Sequence, residues 1–241
     1  MRESRNAYLI SAYTQWLKEL NEFAPSLMSN SFSNPYFSSI PADWFNTDRP
    51  RILVVGEEGF GTWGCGNGDQ SIAPHEIEKI QSLNYNYLQK QLFDLPHGEI
   101  NNSAFWKRFR KISQYGICAW TNIDKIHVLH EKTCVLTESD RTLLHSLNTK
   151  LLAAEIQILE PTHVIFFGWH GTSLKHELPA LYNILYPKGA KDSSVWCKNV
   201  VSVCQDSKTF IFCYHPNWGY RTKGYEDKVL STFEDSLNRS L

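Results

Sequence analysis

The chain has 241 residues, 42% hydrophobic and 20% charged, a composition that supports a packed core and excludes a disordered chain. Lys plus Arg number 24 against 25 Asp plus Glu, a formal net charge of −1. That balance excludes a uniformly basic nucleic-acid binder, although not a local basic groove. Aromatic residues reach 13%, so either the core is unusually aromatic or some rings are held at a surface for stacking.

Residues 4–22 place apolar side chains at helical spacing (Tyr8, Leu9, Tyr13, Trp16, Leu17, Leu20), which predicts an opening amphipathic helix. Residues 23–50, rich in Ser, Asn and Pro, read as a long ordered loop. Arg51–Val55 is a β-branched run ending at Gly56, a buried strand. Six of the 13 glycines then crowd into 56–68, and Ser71-Ile-Ala-Pro74 opens a helix over 75–93. A second basic-faced helix is expected over 102–114, a strand over 116–121 ending in Asn122, and a long helix over 138–159 stopped by Pro161. A third strand over 162–167 ends at Gly168, with a helix near 169–182. Val200–Cys204 and Thr209–Cys213 read as a final strand pair before a last helix over 224–238.

Strands alternating with helices predict an α/β fold with a mainly parallel sheet covered on both faces. No internal repeat or linker divides the chain, so one domain is expected over 1–241, with 1–50 as an N-terminal extension and 51–241 as the core. No apolar run is long enough for a bilayer and no targeting segment is apparent, so no membrane partner is expected. The six cysteines form no Cys-x-x-Cys pair, which suits free thiols in a reducing, cytoplasmic setting and does not call for a metal, although His127, His130 and His215 lie within reach as ligand types.

In a parallel sheet the site lies beyond the strand carboxyl ends. Those ends carry Gly56-Glu57-Glu58, Thr121-Asn122, Gly168-Trp169-His170 and His215-Pro216-Asn217-Trp218. Gly59-Phe60-Gly61-Thr62-Trp63-Gly64 matches a dinucleotide-binding pattern. Gly66 and Gly68 follow it, however, where a pyrophosphate-binding helix should start, and Glu57 and Glu58 precede it with the wrong charge. A carboxylate (Glu57, Glu58), an amide (Asn122), an imidazole (His215) and rings (Phe60, Trp63, Trp218, Tyr220) fit another chemistry better. They suit cleavage of an N-glycosidic bond on an extruded nucleotide. Lys107, Arg108, Arg110 and Lys111 read as the solvated face of a helix or, alternatively, as phosphate contacts together with Arg221 and Lys223.

These residues carry a resemblance to the uracil-DNA glycosylase superfamily. Arg-Ile-Leu-Val-Val-Gly-Glu-Glu-Gly (51–59) resembles its first motif, nearest to the Gly-Glu-Ala-Pro-Gly variant, and Trp-Thr-Asn-Ile-Asp-Lys (120–125) resembles its Thr-Asn-Ile-Val-Lys segment. Residues 152–168 resemble the helix–strand segment between motifs, and Tyr-His-Pro-Asn (214–217) resembles the final His-Pro-Ser motif. The resemblance implies a three-layer α/β/α fold around a four-stranded parallel sheet, and a monofunctional glycosylase acting as a monomer on DNA without a cofactor. It implies that Glu57 or Glu58 positions water or stabilises the sugar cation, that Asn122 binds the base edge and that His215 stabilises the departing base. Asn217, Trp218 and Tyr220 would then wedge the duplex. The chain departs from the pattern at Gly59, where Pro is usual, and at Asn217, where Ser is usual, and it lacks the cysteine spacing of the iron–sulfur branch. The glycine-rich loop leaves room for a base larger than uracil: thymine, hypoxanthine, or a hypermodified phage cytosine removed in antiviral defence. A catalytically silent DNA- or protein-binding module, and a nucleotide-cofactor enzyme, are the alternatives from other classes.

Overall fold

A strand buried on both faces can be apolar along its length, and the runs at 52–55, 117–120, 164–167 and 210–213 have that character. The structure, a computed structural model, describes residues 2–23, 35–56, 76–93, 101–126, 137–168, 200–205, 207–219 and 223–238. Its sheet is built from β1 (Arg51–Gly56), β2 (Ile117–Asn122), β3 (His163–Phe167), β4 (Val201–Gln205) and β5 (Lys208–Cys213), in the order β2-β1-β3-β5-β4. The four strands β2, β1, β3 and β5 run parallel, and β4 pairs antiparallel with β5. The sheet therefore has five strands rather than the four implied by the resemblance. The difference comes from the tight connection between Gln205 and Lys208, where Ser207 has φ 61°, which folds β4 back on β5 as a hairpin edge.

Helices cover both faces. They are α1 (Arg2–Phe23), α2 (Ile77–Phe93), α3 (Ala104–Ser113), α4 (Glu138–Leu159), the single turn α5 (Pro216–Gly219) and α6 (Tyr225–Asn238). Strand alternation divides the core. Leu53, Val55, Ala119, Val164, Phe166, Phe210 and Phe212 pack with α1, α4 and the segment 37–44. Ile52, Val54, Cys118, Trp120, Ile165, Phe167, Ile211 and Cys213 pack with α3 and α6 on the opposite face.

In α1 the stripe Leu9, Tyr13, Trp16, Leu17 and Leu20 is buried as the spacing predicts, whereas Tyr8 lies on the solvent side at 61% exposure. α4 starts in a capping box: Thr137 Oγ1 accepts from Asp140 N (3.1 Å), and the Asp140 carboxylate accepts from Thr137 N (3.4 Å). It stops where Glu160 turns left-handed (φ 47°) ahead of Pro161, and Trp44 Nε1 donates to the terminal carbonyl of Leu159 (2.7 Å). The segment 35–50 is irregular as expected, yet it buries Phe37, Ile40 and Trp44. The helix predicted near 169–182 lies outside the described residues. No described helix is long and apolar enough to cross a membrane.

Candidate functional site at the strand ends

The parallel register brings the predicted strand ends to one edge of the sheet: Gly56 lies beside Asn122, and Phe167 beside Cys213. β1 sits between β2 and β3, so the chain leaves it at the point where strand order reverses, the usual place for a ligand crevice. Glu57, Glu58, Phe60 and Trp63 follow β1 but lie outside the described residues, as do Trp169, His170, His127, His130, Tyr220 and Arg221.

Asn122 is the best-defined member of the site. Its side chain is 1% exposed, and Oδ1 accepts a hydrogen bond from Trp120 Nε1 at 3.0 Å. An indole nitrogen can only donate, so this bond fixes which end of the amide is oxygen. Nδ2 is buried with no hydrogen-bond partner among the described residues. A buried amide that leaves two donors unmet costs about 1–3 kcal/mol, a burden that a ligand acceptor would lift. Gly56 makes the arrangement possible: a Cβ there would sit 2.4 Å from Asn122 Oδ1, so only glycine allows the amide to lie across the end of β1. The Ile123 N–H donates to the Gly56 carbonyl (2.9 Å) and ties the two strand exits together.

Below Asn122 lies a network that the sequence reading did not single out. Lys125 Nζ donates to Glu155 Oε2 (2.5 Å) and Thr121 Oγ1 (2.6 Å), and Thr121 donates to the same carboxylate oxygen (2.8 Å). Tyr13 donates to Glu155 Oε1 (2.8 Å). Both charged side chains are wholly buried. Burial pulls the Lys125 ammonium below the ordinary lysine pKa, with the neighbouring carboxylate opposing the shift. Burial pushes the Tyr13 phenol well up, and the Glu155 charge adds to that. Thr121 and Lys125 bracket Asn122, so the turn 122–125 hangs from α4 by charge-assisted bonds to Glu155, which Tyr13 of α1 braces from its other oxygen. One signal for this network was present: Glu155 shares a helical stripe with Leu151, Leu152 and Leu159, which marks a carboxylate headed into the core.

Tyr36 and Phe105 are further missed neighbours. Tyr36 packs on Trp120 (ring centroids 4.1 Å apart), and its N–H donates to the Lys125 carbonyl (2.7 Å). Phe105 lies 5.6 Å from Trp120 and 3.3 Å from where a Gly56 Cβ would stand. Nothing local in the Pro-rich segment marks Tyr36, because its contact is made across the fold.

His215 follows β5 by two residues and is half-buried. Its Nδ1 accepts from the Asn217 N–H at 3.3 Å, which places the proton of a neutral ring on Nε2 and makes that nitrogen a donor. Asn217 is exposed on α5, which also carries the backbone of Trp218.

The basic cluster on α3 divides. Lys107 and Lys111 are exposed, one helical turn apart, and Lys223 is exposed ahead of α6. Arg110 is half-buried and donates to the Asn101 carbonyl (3.2 Å) and Asn102 Oδ1 (3.4 Å). Arg108 corrects the expectation of a phosphate contact: it is 1% exposed and paired with Glu226. Its position faces the same side of the helix as Phe109 and Ile112, so it points into the protein.

No family model matches this chain, and no curated protein sequence matches it.

Proposed function

We propose that this protein is a monofunctional DNA glycosylase that hydrolyses the N-glycosidic bond of an extruded uracil or modified base and leaves an abasic site. On this reading the α/β scaffold is the three-layer uracil-DNA glycosylase-like fold, and the protein works as a monomer on DNA without a cofactor. The observation that carries it is the Asn122 amide: buried, held in one orientation by an indole, and with Nδ2 donors unmet among the described residues, at the edge from which β1 runs into Glu57 and Glu58.

The chemistry follows from the groups. The Nδ2 donors of Asn122 meet an acceptor on the base edge. As the bond from C1′ to the base nitrogen breaks, its electron pair leaves with the base, and negative charge grows on the base oxygens. The His215 Nε2–H donates to that charge, where a fixed donor stabilises more than water does. One of the carboxylates Glu57 and Glu58 stabilises the positive sugar and orients a water whose oxygen joins C1′, and the proton released ends on the base. Lys107, Lys111, Arg221 and Lys223 supply a narrow positive path for phosphates, which a net charge of −1 permits. Asn217, Trp218 and Tyr220 fill the gap in the duplex, and Phe60 and Trp63 give the base a stacking face.

The test is incubation with end-labelled single- and double-stranded oligonucleotides carrying uracil, hypoxanthine or modified cytosines, followed by alkali. Strand cleavage at the marked base is expected, with loss in Asn122→Ala and Glu57→Gln. DNA binding without abasic product from any substrate refutes the proposal and leaves a silent binding module.

A further inference from the structure

The side chain that was expected on the DNA is instead fastened to the exit of β5. The Arg108 guanidinium, with its side chain fully buried, donates through Nη1 to the Tyr214 carbonyl (2.6 Å) and to Cys213 Sγ (3.4 Å). Its Nε donates to Glu226 Oε2 (2.9 Å), Nη2 donates to Glu226 Oε1, and the group lies over the Phe167 ring at 5.2 Å. From α6, the Tyr225 hydroxyl accepts the other backbone group of the same residue, Tyr214 N–H, at 2.8 Å. Both polar backbone groups of Tyr214 are thus held by side chains, one residue before His215.

A sheet ladder would ordinarily satisfy such groups, but β5 ends at Cys213. A buried arginine pair is also a poor source of stability, because desolvation offsets most of its attraction. What the planar fork provides is geometry: several donors in fixed directions from one side chain, which a lysine cannot reproduce.

We propose that Arg108, with Glu226 and Tyr225, is a positioning device that fixes the His215 imidazole. By holding the Tyr214 peptide, the clamp sets the direction in which the chain enters Pro216. That in turn places the Asn217 N–H against His215 Nδ1 and keeps the ring proton on Nε2. The clamp joins α3, the ends of β3 and β5, and α6 in one contact set, so the ring is oriented by elements far apart in the chain. Its consequence for catalysis rests on the glycosylase reading above; its effect on the imidazole does not.

The experiment uses the full-length protein and two variants, Arg108→Lys and Tyr225→Phe, with far-UV circular dichroism and thermal unfolding as fold controls. Long-range proton–nitrogen NMR of the histidine side chains, with His215 assigned by its loss in His215→Asn, reports the tautomer directly. The wild type is expected to show a single Nε2–H form, and each folded variant a mixture with averaged nitrogen shifts. On a substrate that the wild type cleaves, kcat is expected to fall by about a hundredfold while KM stays within about twofold. Folded variants that keep the wild-type tautomer overturn the proposal, and an altered tautomer with unchanged kcat overturns its consequence for catalysis. If Arg108→Lys does not fold, Tyr225→Phe alone decides, because it removes one neutral acceptor and leaves the ion pair. If the wild type cleaves nothing, the glycosylase reading fails and the NMR arm still decides the positioning.

Discussion

Replacing Lys125 with Met tests how the turn carrying Asn122 is held. The substitution keeps the length of the stem and deletes the ammonium 2.5 Å from Glu155 Oε2. Glu155 keeps its bonds from Tyr13 and Thr121, each 2.8 Å long, but its charge then lies fully buried without a counter-ion. Breaking a buried pair from one side costs about 3–5 kcal/mol, a large part of the total stability of about 5–15 kcal/mol of an ordinary domain. With a urea m value of about 3 kcal/mol/M, the midpoint should fall by about 1–1.7 M. In Lys125→Met combined with Glu155→Gln, the amide can still accept from Tyr13 and can donate to Thr121 Oγ1, so no charge is stranded and most of the loss should return, to within about 1–2 kcal/mol of wild type. Urea unfolding of the four proteins in the cycle measures this. A single variant that loses under about 1 kcal/mol, or a double variant as unstable as the sum of the two singles, refutes the account.

Two further outcomes follow from the described packing. Gly56→Ala puts a methyl group 2.4 Å from Asn122 Oδ1, so it should lower stability by about 1–3 kcal/mol and, by displacing the amide, remove base excision; chemical denaturation and the oligonucleotide assay check the two parts. His163 is buried at the start of β3, and burial pulls its pKa below the usual 6.5. Its folded-state pKa is thus lower than its unfolded-state pKa. Its contribution is complete above about pH 6.5 and is lost as pH falls from there through the folded value, because the unfolded chain takes up the proton first. Urea unfolding between pH 8 and 5 should therefore show a slope that His163→Phe reduces, and an unchanged slope refutes the assignment.

Much of the scaffold was legible because its signals are local. Parallel strands buried on both faces carry near-continuous apolar runs, so β1, β2, β3 and β5 stand out despite polar residues at their ends, and Pro161 marks the end of α4. The stripe of α1 was equally plain, although Tyr8 counted as apolar and faces water. Asn122 was legible as a residue at a strand end, but the orientation of its amide was not, since that depends on the Trp120 indole two residues back and on the bare Cα of Gly56 across the sheet.

The aromatic surplus and the basic helix show the same division. Composition alone established that the rings exceed an ordinary core. Packing decided that Trp16, Trp44, Trp106 and Trp120 lie inside, with Trp120 also serving as a hydrogen-bond donor to the site. In Lys107-Arg108-Phe109-Arg110-Lys111, the sequence determined the charge and the helix. It did not determine that Arg108 turns inward, because the partner that makes its burial tolerable, Glu226, is 118 residues away. Local propensity and periodicity are properties of neighbours along the chain, whereas the desolvation of a charge is settled by whatever the fold brings against it.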